Sequence, residues 1–439
     1  TKSIPYSTYT QLHTMPASSS ADAIQLEHDY LCHNYHPLPV VFAKAEGVNV
    51  WDPEGKKYID CLSCYSAVNQ GHRHPKIIGA LIEQAQRCTL SSRAFYNDRL
   101  GEAGKKICET FGYESCLLMN SGAEGVESAL KIARNWGYVV KGIPKNEALI
   151  ISAKGNFHGR TISVISMSTD PDCTENFGPF VPGFLSIDYD APEQLEAILK
   201  EKGDKVCAFI QEPIQGEAGV YVPSEGYITK CQNLCKQYNC LYIDDEIQTG
   251  IARTGRMLAA DHENCRPDMV ILGKAISGGA YPVSVVLCDK KIMDVIKPGT
   301  HGSTFGGCPM ACAVAVAALE VIEEEKLIER AQVMGERMRK GLRDVPSEIV
   351  KLVRGKGLLN AVVVDRMAGL DEYTAYAVCL LMAEHGVLAK PTHSDIIRLA
   401  PPLTITEAEV DEIVRVFHLA VKEAPAYAGR LSELPRWDF

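Results

Sequence analysis

Between about residues 76 and 290, helix-like stretches alternate with short apolar runs that end in turns. The helix-like stretches are 76–88, 124–140, 192–202 and 226–237, and the apolar runs are 148–152, 206–211, 240–244, 269–272 and 283–288. These runs are rich in β-branched residues and apolar on both faces, which is typical of strands buried in a parallel sheet. The alternation therefore predicts an α/β fold with helices on both faces of a mainly parallel sheet.

The two ends of the chain depart from this alternation. Residues 1 to about 35 are polar and are interpreted as an arm over another element or subunit, and 48–59 predict a hairpin around a Pro-Glu-Gly turn. After Pro309 an amphipathic helical stretch runs to about residue 343, followed by strands at 358–364 and 396–399 and a final helix at about 407–422. We expect an N-terminal segment (1–65) that packs with the small domain, a large domain (66–320) and a small α+β domain (321–439).

Composition excludes several classes of protein. Lys and Arg number 45 and Asp and Glu 55, so the net charge is −10, and no block of five like charges occurs. This balance argues against nucleic acid or an anionic membrane surface as the main partner. No apolar run approaches the roughly 20 residues that span a bilayer. The sixteen cysteines are scattered without framework spacing, which favours reduced thiols.

The first twenty residues are rich in Ser and Thr and hold one Lys and no acid. The apolar core of a secretory signal is missing, and the first Arg of the sequence, Arg73, comes too late for a mitochondrial transit peptide. We therefore expect a cytoplasmic protein. The mitochondrial matrix is the alternative if a leader upstream of Thr1 is missing.

Common nucleotide-binding and metal-binding motifs are absent from the sequence. It contains no G-x-x-x-x-G-K-[ST] and no strict G-x-G-x-x-G, which disfavours a nicotinamide oxidoreductase. His72 and His74 could ligate a metal, but no nearby Cys or acid completes a tetrahedral set, so we expect a hydrogen-bonded loop and no metal. Cys61 and Cys64 have the spacing of a thiol pair, although ordinary thiols are the simpler interpretation.

One candidate binding element is the turn Ser121-Gly122-Ala123, which joins an apolar strand to a helix. Small residues let a ligand approach the backbone, and the free N–H groups of a helix start favour a phosphate. A plain N-cap by Ser121 fits the same residues.

Two further candidates also lie at strand ends. Asp244, Asp245 and Glu246 stand where ligands bind in open α/β sheets, although a solvated loop fits them as well. Lys274 follows the next strand among Gly, Ala and Ser, where desolvation favours a nucleophilic amine, although a snorkelling lysine fits too. A phosphate cradle, an acid and a lysine at neighbouring strand ends together predict a pyridoxal-phosphate site.

The chain resembles the fold-type I, class III aminotransferases along nearly its whole length, most closely the ornithine aminotransferases. The resemblance lies in 35–39 (Tyr-His-Pro-Leu-Pro), 63–72 (Ser-Cys-Tyr-Ser-Ala-Val-Asn-Gln-Gly-His), 212–219 (Glu-Pro-Ile-Gln-Gly-Glu-Ala-Gly), 245–250 (Asp-Glu-Ile-Gln-Thr-Gly) and 301–304 (His-Gly-Ser-Thr). The separation of 29 positions between Asp245 and Lys274 also fits. The resemblance implies a fold-type I α/β structure, pyridoxal 5'-phosphate as cofactor, and a homodimer with shared active sites.

The resemblance also implies how the cofactor is held. Lys274 would be the Schiff-base lysine and proton shuttle, and Asp245 the partner of the pyridinium nitrogen. Phe157 would stack on the ring, and Gln248 would reach its phenolic oxygen. The phosphate would be held by Ser121, Gly122, Ala123, Ser303 and Thr304, of which Thr304 comes from the neighbouring subunit.

Substrate contacts follow from the same resemblance. Tyr35 and Arg160 would hold the α-amino and α-carboxylate groups of ornithine, so that the δ-amine points to the cofactor. Glu217 would mask Arg398 in the first half-reaction and swing away in the second, which frees Arg398 for α-ketoglutarate. From the residues alone, a plain salt bridge would explain this pair. Tyr65 lies where the family distinguishes ornithine from γ-aminobutyrate.

The expected activity is transfer of the terminal amine of L-ornithine to α-ketoglutarate. N-acetylornithine, γ-aminobutyrate or a broad range of ω-amines are the alternative substrates. A catalytically silent protein of this fold is disfavoured because Lys274, Asp245 and the phosphate turn are intact. One departure from the family is Cys308, which stands where relatives usually carry Asn, so the turn near the shared phosphate site is expected to differ.

Overall fold

The computed structural model describes residues 19–346 and 348–433, so most of the expected N-terminal arm lies outside the described residues. The helices of more than ten residues are α1 (Ser20–Tyr30), α2 (Pro75–Arg87), α3 (Leu100–Phe111), α4 (Gly122–Trp136), α5 (Pro192–Lys202), α6 (Tyr227–Gln237), α7 (Pro309–Glu324), α8 (Leu327–Arg343), α9 (Thr374–Glu384) and α10 (Glu407–Tyr427). Single helical turns lie at Ile162–Ile165, Pro171–Thr174 and Lys290–Met293.

The strands form three sheets. They are β1 (Lys44–Glu46), β2 (Asn49–Trp51), β3 (Lys57–Asp60), β4 (Ser115–Met119), β5 (Leu149–Ala153), β6 (Phe184–Ile187), β7 (Val206–Gln211), β8 (Leu241–Asp245), β9 (Met269–Leu272), β10 (Ser284–Cys288), β11 (Val350–Lys356), β12 (Leu359–Val364), β13 (Val387–Leu388), β14 (Lys390–Thr392) and β15 (Ile396–Leu399).

The largest sheet has seven strands in the order β4-β10-β9-β8-β7-β5-β6. All of them run parallel except β10, which is antiparallel to both neighbours. Every residue of β7, β8, β9 and β10 is buried, because helices cover both faces. The predicted α/β fold is confirmed. The carboxyl ends of the parallel strands meet at one edge of the sheet, where ligands bind in folds of this kind.

Two four-stranded sheets flank this unit. In one, the predicted hairpin β2–β3 pairs with β1 and with the distant strand β13. In the other, β11, β12, β15 and β14 pair antiparallel in that order. The domain limits at 65/66 and 320/321 stay predictions. No helix in the described ranges is both long and apolar enough to cross a bilayer.

The helical stretch expected from Pro309 to about residue 343 is two helices and not one. Lys326, between α7 and α8, has a left-handed backbone (φ 52°), which ends one helix and starts the next in a new direction. The amphipathic face of α8 is as predicted, since Leu327, Ala331, Met334, Met338 and Leu342 are all buried.

Candidate active site

Lys274 lies directly after β9, at the edge where the parallel strands end. Gly273, which precedes it, packs closely on Ile247, since a Cβ there would lie 3.1 Å from the Ile247 side chain. Burial lowers the pKa of Lys274 to about 8, although the negative charges of Glu217 and Asp245 oppose the shift. A larger share of the amine is therefore neutral and nucleophilic near neutral pH than in an exposed lysine.

Asp245 ends β8, the strand next to β9, and is buried. Its Oδ2 lies 2.7 Å from Nδ1 of His158, and its Oδ1 accepts a hydrogen bond of 3.1 Å from the N–H of Ile247. Burial favours the neutral imidazole, but the hydrogen bond and charge of Asp245 outweigh it and raise the pKa of His158. The contacts with His158 and with the N–H of Ile247 therefore fix the Asp245 side chain at the end of β8.

The solvated-loop interpretation of the three consecutive acids is wrong, because Asp244, Asp245 and Glu246 are all buried. Successive side chains of a strand point to opposite faces, so Asp244 and Asp245 lie in different surroundings. Burial, with the charges of Glu246 and Asp245, raises the pKa of Asp244 well above its usual value. Burial likewise raises the pKa of Glu246 to about 7, so both of these acids favour the protonated form in which they can be buried.

The turn before α4 combines both functions that its sequence allowed. Ser121 caps the helix, since its Oγ accepts from the N–H of Glu124 at 3.2 Å and its own N–H donates to Glu124 Oε2 at 2.9 Å. The N–H groups of Gly122 and Ala123 have no hydrogen-bond acceptor among the described residues. The start of a 15-residue helix thus presents two free donors and a positive dipole end, which suits a phosphate.

Two residues from the loop after β5 and one directly after β7 complete the central part of the site. Phe157 donates its backbone N–H to Glu212 Oε2 at 3.0 Å, and the guanidinium of Arg160 lies 5.5 Å from the Phe157 ring centroid. Burial raises the pKa of Glu212 to about 7. The contact between His158 and Asp245 and the place of Glu212 were missed from the sequence. A buried acid such as Asp245 needs a polar partner, and this requirement could have pointed to His158.

Gln248 and the 301–304 segment contain the remaining residues predicted to bind the cofactor. The Gln248 amide packs against Gly216, where a Cβ would approach its Oε1 to 2.1 Å. His301 contacts α4 through Ser128 and Lys131, each at 2.8 Å. Ser303 Oγ accepts a 2.7 Å hydrogen bond from Asn120, beside the phosphate turn, and Thr304 is exposed.

Arg398 and Glu217 form an ion pair across 181 positions of sequence. The guanidinium is 2% exposed and donates to both carboxylate oxygens of Glu217, at 2.7 and 3.3 Å. Burial alone would raise the pKa of Glu217. The charge and hydrogen bonds of Arg398, together with the charge of Lys274, outweigh burial and lower this pKa. The Tyr65 ring lies 5.1 Å from the Arg398 guanidinium. Tyr35 is 62% exposed.

The loop at His72 is hydrogen-bonded, as expected, through Nε2 to Asp60 Oδ2 at 2.8 Å. An acid and a thiol do lie near it, because Asp60, Cys64 and His72 place one ligand atom each within 4.8 Å of the others. Three groups still fall short of a tetrahedral set. All sixteen cysteines lie within the described residues and are free.

Known proteins resemble this chain in both sequence and structure. The chain matches the aminotransferase class-III family over residues 30–421. The chain belongs to the class III aminotransferases. A rice (Oryza sativa subsp. japonica) relative named mitochondrial ornithine aminotransferase is 56% identical over 404 residues, which cover 91% of this chain and 85% of the relative.

Solved structures agree with this membership. An ornithine aminotransferase from Toxoplasma gondii, described with partial occupancy of PLP at its active site, superposes with a TM-score of 0.92 at 45% identity, covering 98% of this chain and 100% of its own. An acetylornithine aminotransferase from Elizabethkingia anophelis has a TM-score of 0.86 at 54% identity, covering 93% and 100%. The protein is therefore a pyridoxal-phosphate-dependent aminotransferase that acts on small molecules.

The residues present fit pyridoxal phosphate. Two free N–H donors at a helix start, a buried carboxylate on a rigid strand and an amine of lowered pKa lie at one edge of a single sheet. When bound, the cofactor supplies an electron sink for the charge that develops when a C–H bond beside the amine is broken. Lys274 would hold its aldehyde carbon and then move protons, and Asp245 would hold a proton at the ring nitrogen.

Proposed function

We propose that the protein is an ornithine δ-aminotransferase. It moves the terminal amine of L-ornithine to α-ketoglutarate in a ping-pong cycle, which gives glutamate and glutamate-5-semialdehyde, and the semialdehyde cyclises to pyrroline-5-carboxylate. The observation that carries this proposal is the buried Arg398 paired with the half-exposed Glu217, above the same site that holds Lys274. Two substrates that differ by one carboxylate need a cation that can be covered for one and uncovered for the other.

The other substrate contacts belong to this proposal. Arg160 is exposed and stacks over Phe157, so its planar fork is placed beside the ring on which the cofactor would stack, where it can bind the α-carboxylate of ornithine. Tyr35 would bind the α-amino group. Tyr65, whose ring lies 5.1 Å from the Arg398 guanidinium and 5.9 Å from the Lys390 ammonium, would favour ornithine over shorter ω-amino acids such as γ-aminobutyrate.

A homodimer with shared sites is proposed on similar grounds. Thr304 and the neighbouring Phe305 are exposed, although they follow a segment that is fixed along α4. A second copy placed against this surface would receive Thr304 at its own phosphate turn. Sedimentation at micromolar concentration tests the dimer, and a monomer with full activity would contradict the shared site.

The function is tested by a visible absorption spectrum of the purified protein, titrated in parallel with L-ornithine, N-acetylornithine and γ-aminobutyrate. We expect ornithine to bleach the band of the bound cofactor at the lowest concentration, and α-ketoglutarate to restore it. Preferred bleaching by N-acetylornithine, the substrate in the name of the Elizabethkingia relative, would contradict the assignments of Tyr35 and Tyr65. A protein that stays colourless with added cofactor would contradict the proposal altogether.

Replacing Arg398 by alanine should raise the KM for α-ketoglutarate by about 30-fold or more, because a buried bidentate partner of a carboxylate is lost. The half-reaction with ornithine should change much less, since Arg398 is paired with Glu217 there. Steady-state kinetics with each substrate varied separately measure the split. Equal losses for both substrates would show that Arg398 is structural and does not select the second substrate.

The compartment also belongs to the proposal. We propose the cytoplasm, and the mitochondrial name of the rice relative makes the matrix the alternative. Cell fractionation followed by an activity assay decides between them.

A further inference from the structure

Glu217 belongs to a loop whose backbone is held in an unusual conformation. Gln215 and Tyr221 close the loop with reciprocal hydrogen bonds of 3.1 and 3.0 Å between their main chains. Inside it, Val220 is fully buried with φ 57°, and Gly219 has φ 123°. A β-branched residue rarely adopts a left-handed backbone. Such a conformation persists only where contacts from outside the loop hold it.

Arg354 of β11 supplies such a contact. Its Nε and Nη2 both donate to the carbonyl oxygen of Gly219, at 3.0 and 2.7 Å, and its guanidinium carbon lies 3.8 Å from the centroid of the Tyr221 ring. One planar group therefore holds the backbone of the loop and stacks on the residue that closes it. Any other residue at Gly219 would be strained by the φ of 123°, and its Cβ would also force the Ile396 side chain to shift.

The sheet places Arg354 and Arg398 on the same face. Arg354 lies opposite Ala361 on β12, and Ala361 lies opposite Arg398 on β15. Residues directly opposite each other in antiparallel strands point to the same side. The side chains of Arg354 and Arg398 therefore leave the sheet on one face, from Cα positions about 10 Å apart, which is two strand spacings. The small side chain of Ala361 leaves room between them. One arginine thus binds the Glu217 carboxylate and the other binds the backbone of the same loop, two residues further on.

We propose that Arg354 is a positioning residue for substrate selection: by fixing the 215–221 loop it holds Glu217 on Arg398. This rests on the proposed function. Releasing the loop would lower the local concentration of the Glu217 carboxylate at Arg398, which leaves the guanidinium open to a carboxylate of the substrate. Glutamate, which carries that second carboxylate, would gain as amine donor. Ornithine, which has no such carboxylate, would not.

The test compares single-turnover rates of the holoenzyme with ornithine and with glutamate, followed by the loss of the cofactor band. In Arg354→Ala, the ratio of the second-order rate constants (ornithine over glutamate) should fall about fivefold or more, as expected for directly coupled groups. Arg354→Lys keeps the charge and one donor and should fall between. Lys351 lies on the same strand and forms an ion pair with Asp365. Lys351→Ala removes this cation and should leave the ratio unchanged.

Two further measurements keep a folding defect apart from the proposed role. Adding Arg354→Ala to Glu217→Ala should change the ratio less than twofold, because the carboxylate that Arg354 is proposed to position is already missing. Hydrogen exchange at Gly219 and Val220, whose N–H groups donate to Gly216, should be faster in Arg354→Ala than in Lys351→Ala.

An unchanged ratio in Arg354→Ala, an equal shift in the Glu217→Ala background, or unchanged exchange in the loop would overturn the inference. If the native enzyme does not use ornithine, the proposed function fails by itself. The glutamate rate and the exchange of the loop then still test Arg354, since both depend only on the contacts of the loop.

Discussion

Lys274→Ala should lose at least about 10⁴-fold in turnover, because the residue acts both as the nucleophile that holds the cofactor and as the acid–base group of the proton transfers. The side chain is half-buried, with a pKa lowered to about 8, so alanine in its place leaves the site without a neutral amine. The Lys274 side chain donates no hydrogen bond to any residue that the structure describes, so the fold should survive its removal. Circular dichroism and thermal unfolding check the fold, and single-turnover rates check the chemistry.

Chemical rescue makes this prediction sharper. A small primary amine added to Lys274→Ala should restore part of the proton transfer, because it can enter the space that the side chain leaves. The rescued rate should rise with the concentration of the neutral amine and therefore with pH. An unimpaired variant would contradict the role of Lys274.

Asp245→Ala should cost about 10³-fold in the rate of the chemical step, since a preorganised charge next to the developing charge is lost. The Asp245 carboxylate is fixed by the 2.7 Å contact with His158 and by the N–H of Ile247. Neither of these neighbours can supply the negative charge that the variant loses. Asp245→Asn tests the charge without the change in volume and should be almost as slow. A loss of less than tenfold would remove Asp245 from this role.

Asp244→Asn is the matched control for this experiment. Asp244 is the preceding residue of the same strand and is equally buried, and burial together with the charges of Glu246 and Asp245 raises its pKa well above the usual value. An amide resembles the protonated form of an acid in shape and charge, so the rate should stay close to that of the native enzyme. A large loss in Asp244→Asn would show that disturbance of β8, and not the charge of Asp245, lowers the rate.

The central sheet could be predicted from the sequence because its strands are continuous apolar runs that end in Gly, Asp or Lys. β7 and β9 match the predicted limits, β5 and β8 are each shifted by one residue at both ends, and β10 begins one residue later than predicted. The break at Lys326 could not be predicted, because nothing about a lysine marks a left-handed backbone. The contacts of α7 and α8 with the rest of the core force it there.

The candidate site divides in the same way. Lys274, Asp245 and the turn at Gly122 follow from local pattern, since each sits where a buried strand ends. The partners that give these residues their properties, such as His158 for Asp245 and Arg398 for Glu217, are 87 and 181 positions away. Periodicity describes which face of an element is buried. It contains no information on which distant polar group meets that face.

The parallel pairing of β3 with β13 has a consequence for synthesis of the chain. Ile59 and Cys61 donate hydrogen bonds to Gly386 and Leu388, more than 300 positions later. The N-terminal hairpin leaves the ribosome early, yet one of its edges stays unpaired until nearly the whole chain has been made. An open strand edge invites pairing with other chains. We expect newly made protein to depend on chaperones until residue 388 has emerged, and chains that stop before that point to aggregate.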